Sequence, residues 1–378
     1  MRLLILHDSP SFGGHERIFL SLFPEVLDSE AFDEIEVVLP ESNIKLANEF
    51  ARFRSPKLLI TRSPYQKRRG EPYLAPFRMR YARHIREIVA RFRPDRVLLL
   101  QGRIENLATP LLNLSKQPVI SYIPMAHSMA EMQRKVPGGD LIRRAYYRRP
   151  DRFIVPSLAG EAQLGRAGAR GEIRIVRNVV SPPPRTNSTE ARRLLGLPAE
   201  ALTLLYMGRF DRDQKGIDRL LDSLRRSQKR LAGASVVFVG NGPAEDDIRS
   251  ALEGMKAISG HSLPWTDSPH LVLSAADVLL APSRYEGVPL VMLEAMMYEI
   301  PIIASFIDVY QEHLPTSHLF DFDKGDLASA IERVKNETVH SVYTKHCRRT
   351  IAGGDLAQSR RDFVAALVDP IIRKKRKE

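Results

Sequence analysis

A single cysteine, Cys347, stands in 378 residues, which rules out a disulfide within the chain and any cysteine-based metal cluster. That scarcity suits a reducing, cytoplasmic setting. No apolar run approaches the roughly 18 to 20 residues of a membrane span, and the opening MRLLILHDS has only four consecutive apolar residues after Arg2, which reads as a first strand and not as a signal peptide. Nothing repeats with a short period, so solenoid architectures are excluded. Aromatic residues are only 7%, and no interleaved aromatic and basic signature of nucleic-acid binding is present. Acid is scarce where the chain begins. Residues 1–180 carry 30 Lys and Arg against 19 Asp and Glu, residues 181–372 carry 22 against 25, and the last six carry 5 against 1. The formal charge of +12 therefore belongs to the first half and the tail, and such a field attracts anionic partners.

What is present is an ordinary globular balance, 43% apolar and 27% charged, in a chain long enough for two cores. The fold class is α/β. In the first half, apolar runs at residues 3–6, 35–39, 58–60, 97–100, 119–123, 153–155 and 173–176 alternate with helical patterns, as in a doubly wound domain. Helices are expected over residues 16–27 and 77–92. The second is amphipathic, with Arg80, Arg83 and Arg91 close to one face and Ile85, Ile88 and Val89 on the other. The proline and polar cluster 181–189, SPPPRTNST, reads as a linker between a domain of residues 1–180 and one of residues 190–354. Strands are expected in the latter at 202–207, 235–239, 255–258, 278–281, 302–304 and 319–322. Residues 355–378 read as a closing helix with a basic tail.

The most informative stretch is SRYEGVPLVMLEAM, residues 283–296. The buried-strand pattern at 278–281 is followed by the tight loop Tyr285-Glu286-Gly287-Val288, by Pro289 in a first-turn position, and by helix formers from Leu290 onward. The helix start so placed lies at the carboxyl edge of a parallel sheet, where unpaired N–H groups favour a phosphate. Glu286 and Glu294, with seven residues between them, bracket it. Gly208-Arg209 at the end of another strand, with Lys215-Gly216 before the next helix, brings two cations to the same edge. Gly240-Asn241-Gly242 closes a third strand, and Ser259-Gly260-His261 follows the next. Between the cations, Asp211 and Asp213 read as solvated loop residues. In the first half, Phe12-Gly13-Gly14-His15-Glu16 follows the first strand and leaves bare N–H groups at a helix start. His127, in SYIPMAHSM, sits just past a strand.

In this order and spacing the motifs resemble retaining glycosyltransferase family 4. The resemblance implies the GT-B fold, in which two Rossmann-like domains face each other across a cleft and the closing helix returns to the first domain. It implies that Glu286 takes hydroxyls of a donor sugar and Glu294 the ribose of its nucleotide. Arg209 and Lys215 serve the diphosphate leaving group, with Gly287, Val288, Pro289 and Leu290 beside it. Gly13, Gly14, Gly208 and Gly242 let backbone approach the donor. His261 meets the base, and His127 meets the transferred sugar. Neither a metal nor a cofactor is implied; the donor is a UDP-, GDP- or ADP-sugar, and nucleic acid is not a partner.

Two departures from the family pattern stand out. Asn178-Val179-Val180-Ser181 lacks the usual Gly and Asp, and Phe306-Ile307-Asp308 replaces a glycine pair near the donor sugar. An epimerase of the same fold, or a basic nucleic-acid binder with a vestigial pocket, is the alternative. The Arg-rich helix over 77–92, the cluster Arg143, Arg144, Arg148, Arg149 and Arg152, and the tail Arg373 to Lys377 lead us to expect peripheral attachment at the inner, anionic face of the cytoplasmic membrane. The expected acceptor is a glycan or a lipid-linked saccharide of polysaccharide or lipopolysaccharide synthesis.

Overall fold

The computed structural model describes residues 1–114, 116–132, 136–180, 184, 186–266 and 269–371. The chain forms two compact units, Met1–Ala130 with Arg134–Val179 and Asp355–Glu378, and Glu131–Gln133 with Val180–Gly354.

The first unit is a parallel sheet of β1 (Arg2–Leu6), β2 (Glu34–Pro40), β3 (Leu58–Ser63), β4 (Arg96–Leu100), β5 (Val119–Tyr122), β6 (Arg152–Val155) and β7 (Glu172–Ile175). Its order is β3-β2-β1-β4-β5-β6-β7, so the direction of winding reverses between β1 and β4. Continuous apolar runs such as Leu3 to Leu6 and Val97 to Leu100 are buried, as a sheet covered on both faces requires. The Arg-rich helix is Met79–Phe92, preceded by the 3-10 turn Ala75–Phe77. Its apolar stripe of Tyr81, Ala82, Ile85 and Ile88 is buried while Arg80 and Arg83 are exposed.

The closing helix is Leu356–Val368, capped by Asp355, whose carboxylate accepts from the Ala357 N–H. It belongs to the first unit. Phe363 packs edge-on against Phe19 and Tyr122, with ring centres 5.8 and 5.3 Å apart, and Arg360 donates to Ser21 O at 2.7 Å. Arg152 fastens its far end: from within β6 and fully buried, it donates to Ala366 O (2.7 Å), Asp369 O (3.1 Å) and Pro370 O (2.9 Å), and pairs with Glu172 at 2.6 Å. The last carbonyls of a helix have no partner of their own, and a guanidinium fork suits them. Arg152 is thus no part of a basic surface, and neither is Arg143, which is buried beside Glu105. The tail Arg373 to Lys377 lies outside the described residues.

The second unit is a parallel sheet of β8 (Thr203–Met207), β9 (Ser235–Val239), β10 (Ser259–Leu263), β11 (Val278–Ala281) and β12 (Ile302–Ala304), ordered β10-β9-β8-β11-β12. Winding reverses between β8 and β11. Leu204, Val236, Phe238 and Leu280 pack with Leu220, Leu224, Ile248 and Ile331 into its core. Two expectations fail here. The apolar Met255 and Ile258 flank a turn after the helix Glu245–Gly254, and the strand comes one step later, because the run's apolar pair is used to seal the helix end. Residues 319–322 give only one parallel bridge, Leu319 to Ala304, since Phe320 and Phe322 turn into the core. Of the stretch read as a linker, Ser181–Pro183 and Arg185 lie outside the described residues, and Asn187 already caps the helix Ser188–Leu194.

Candidate active site

In the second unit the loops after β8 and β11, the two strands beside the reversal, are locked together. A Cβ on Gly216, which has φ +65° at the N-cap of helix Ile217–Ser227, would lie 2.3 Å from Pro282 O. Only glycine fits. Arg284 N–H donates to Gln214 O at 2.8 Å, and the Arg284 guanidinium holds both oxygens of Asp218 at 2.7 and 2.6 Å. On the other side, Gly242 sits so close to the backbone of Phe210 that a Cβ there would meet its carbonyl oxygen at 2.5 Å. The β8 loop is therefore gripped from both neighbours, which fixes Arg209 and Lys215.

Between these loops lies a connected polar cluster. Lys215 Nζ meets Glu286 Oε1 at 2.5 Å; Ser283 Oγ donates to the same oxygen at 2.8 Å, and Gln214 Nε2 to Oε2 at 3.4 Å. Glu286 is buried, whereas Lys215 is partly open to solvent. Arg209 is half exposed and donates to Gln214 Oε1 at 3.2 Å, with Asp211 at the same distance. Asp211 is not a solvated residue: its Oδ1 also accepts from the Gln214 N–H at 2.7 Å. Asp213 is exposed. Beneath the cluster, Tyr310 is hydrogen bonded to Ser283, and burial, with the charge of Glu286 adding, pushes its hydroxyl well above the usual phenol range. A neutral phenol stays neutral there. Pro289 caps the helix Leu290–Met297, Gly287 and Val288 lead into it, and Glu294 is its fifth residue, partly exposed. Tyr206 Oη, at the end of β8, donates to Arg209 O at 2.8 Å and so sets the turn at Gly208.

His261 is placed differently from expectation. It lies inside the edge strand β10, level with Val237 of β9, with Ser259 Oγ 3.2 Å from its Nε2, and burial lowers its pKa. The residues that leave the sheet's carboxyl edge here are Pro264, Trp265 and Thr266, and the half-exposed Trp265 had no motif to mark it. Gln214, Ser283 and Tyr310 were also missed. Gln214 adjoins Lys215 and Ser283 opens the stretch 283–296; Tyr310 comes from helix Asp308–His313, whose first residue Asp308 was marked only as a departure from the family pattern.

In the first unit Gly13 is the N-cap and Gly14 the first residue of helix Gly14–Asp28, and both are exposed. The Glu16 carboxylate accepts from the Gly13 N–H at 2.8 Å and lies 3.5 Å from His7 Nε2. Glu16 thus holds the glycine turn. Burial lowers the pKa of His7, and that of His15 to about 4, despite the pull of Glu16 in the other direction. Asp8, also buried, is raised to about 6 by desolvation, although the Leu107 N–H donates to it at 2.8 Å. His127 is buried in the loop after β5, where Gln163 Oε1 accepts from the neighbouring Ala126 N–H at 2.9 Å.

Comparison with known proteins bears on this geometry. Residues 201–337 match the family model described as glycosyl transferases group 1. The sulfoquinovosyl transferase SQD2 of Arabidopsis thaliana is 27% identical over 266 residues, 65% of this chain and 50% of that protein. The phosphatidyl-myo-inositol mannosyltransferase of Mycobacterium tuberculosis is 30% identical over 185 residues, 46% of this chain and 47% of that protein. The chain spans about half the length of these curated relatives. Anabaena HepE, solved in complex with UDP and glucose, is similar with a TM-score of 0.74 over 97% of this chain and 99% of that one, at 16% identity, a likeness of fold. The segment 201–337, which carries every strand of the second sheet, is thus similar to the glycosyl transferases group 1, and the chain shares the fold of HepE.

Proposed function

We propose that the chain is a retaining, metal-independent glycosyltransferase that moves a sugar from a nucleoside diphosphate donor to a hydroxyl of a glycan or lipid-linked acceptor. The observation that carries the reading is the Lys215–Glu286 pair, set where winding reverses and beside the start of helix Leu290–Met297. A cation, a hydroxyl-binding carboxylate and a helix start in one place match the parts of a sugar diphosphate. Arg209, Lys215 and the helix start hold the diphosphate; Glu286 takes sugar hydroxyls and Glu294 the ribose. In the first unit Gly13, Gly14 and His127 are the candidate residues, and the reading assigns His127 to the transferred sugar.

In the reaction so read, the anomeric C–O bond to phosphate breaks as the acceptor oxygen bonds to the same face of that carbon. The acceptor's proton passes to the departing phosphate oxygen. Arg209 and Lys215 are needed most at that moment, when charge on the phosphate is greatest. The name of one relative, a phosphatidyl-myo-inositol mannosyltransferase, supports an acceptor borne on a lipid, and hence peripheral work at an anionic membrane face.

The test is incubation with UDP-, GDP- and ADP-sugars, with and without acceptor extract, in EDTA. Acceptor-dependent release of nucleoside diphosphate, with the anomeric configuration of the product unchanged by NMR, is expected. Inversion would refute the retaining step, loss in EDTA the metal independence, and no release with any donor the whole reading.

A further inference from the structure

The first unit carries an apolar tip inside a basic rim. Phe77 is 80% exposed, Met79 63% and Leu74 43%, all within one short bend between the helix Glu71–Leu74 and the helix Met79–Phe92. The bend is held rigidly. Arg78, between the two most exposed side chains, turns inward to Glu71 Oε2 at 2.5 Å and lies 4.7 Å over the Tyr81 ring. Glu71 is itself buried, taking the Arg68 N–H at 3.1 Å and the Thr109 hydroxyl at 2.9 Å. Tyr146 Oη fastens Pro72 O at 2.8 Å from the neighbouring helix Gly139–Tyr147, on which Leu141 is exposed as well. Such a fixed bend presents Phe77 and Met79 to water for no reason internal to the unit.

The rim has one sign. From Gln66 to Arg86 the cations Lys67, Arg68, Arg69, Arg80, Arg83 and Arg86 are exposed, and the segment's one acid, Glu71, is withdrawn and neutralised by Arg78. We propose that this bend is a membrane wedge: Phe77, Met79 and Leu74 enter the acyl boundary of an anionic bilayer while the surrounding cations meet lipid phosphates. Charge complementarity favours a bilayer over a protein partner, because a few apolar tips are small for a stable protein interface yet enough to anchor a protein already drawn to anionic lipid. The inference deepens the reading of a membrane-borne acceptor and rests on it only for its purpose.

The test uses the full chain. In a Trp265→Phe background, Phe77→Trp reports on the tip. Emission should shift to the blue on phosphatidylglycerol vesicles and be quenched by acyl-brominated lipid, with no change on phosphatidylcholine alone. Phe77→Asp with Met79→Asp should melt like the parent, since both side chains are exposed, and bind anionic vesicles at least tenfold more weakly at physiological salt. Arg80→Glu with Arg83→Glu should also weaken binding. Vesicle binding with no emission shift and no loss in the Asp variant overturns the wedge but leaves the membrane reading standing. Absence of vesicle binding by the parent overturns both, as does a Phe77-dependent dimer in sedimentation velocity that binds no vesicles.

Discussion

Replacing Lys215 tests the candidate site most sharply, because its ammonium is shared between folding and chemistry. It sits 2.5 Å from Glu286, with side-chain exposures of 21% and 6%. Removing one partner of a fully buried pair costs about 3–5 kcal/mol, and an exposed pair is worth about 0–1 kcal/mol. Lys215 is a fifth open to water, and Ser283 and Gln214 still bond to Glu286, so Lys215→Ala should cost about 2–3 kcal/mol. For a unit of this size that is a fall of about 4–12 °C in Tm. The double variant Lys215→Ala with Glu286→Gln removes the stranded charge and should recover most of the loss. Turnover should not recover, because a lost phosphate-stabilising cation is worth about a hundredfold to a thousandfold. The assays are thermal melts and nucleoside diphosphate release on the parent, both single variants and the double. Lys215→Ala that melts within ~0.5 kcal/mol of the parent would refute the pair as a buried one. A double variant that turned over as fast as, or faster than, Glu286→Gln alone would show that Lys215 acts only by supporting the fold.

Glu294→Ala should weaken binding of bare nucleoside diphosphate by about 1.5–3 kcal/mol, the worth of hydrogen bonds to a charged group, while Glu286→Gln spares it and impairs the sugar-bearing donor; calorimetry separates the two, and equal losses would sink the assignment. Arg152→Met leaves the carbonyls of Ala366, Asp369 and Pro370 without their donor and should cost about 3 kcal/mol, with faster hydrogen exchange throughout helix Leu356–Val368; unchanged protection would show that the aromatic contacts of Phe363 suffice. Burial raises Asp8 from 3.8 to about 6, so the folded state holds a proton that the unfolded state has released, and this group's contribution falls as pH rises through that window. Asp8→Asn, which keeps an acceptor for the Leu107 N–H, should therefore gain over the parent in melts at pH 7 and match it near pH 4; a gain independent of pH would refute the charge argument.

The sequence by itself determined the elements and their kind. Seven strands of the first unit and four of the second follow from continuous apolar runs, because a parallel sheet covered on both faces admits little else. It determined the helix start after Pro289, since proline and helix formers act within a few residues of themselves. It also marked Glu286, Arg209 and Lys215, which lie in loops directly after such strands. Met255 to Ile258 misled because apolar residues that seal a helix end look, in one dimension, like a strand.

Only the tertiary structure decided which charges are paired. Arg152 and Arg143 read as surface arginines, and burial against Glu172, helix carbonyls and Glu105 removed them from the surface. Asp211 read as solvated and proved to be bonded to Gln214. Lys215 and Glu286 stand 71 positions apart and meet because β8 and β11 are neighbours in the sheet. Likewise, helical periodicity gave the basic face of residues 77–92, whereas the outward turn of Phe77 and Met79 depends on the inward turn of Arg78 to Glu71. Strand and helix propensities are local sums, legible in order along the chain; ion pairs and exposure depend on neighbours that the order of residues does not name.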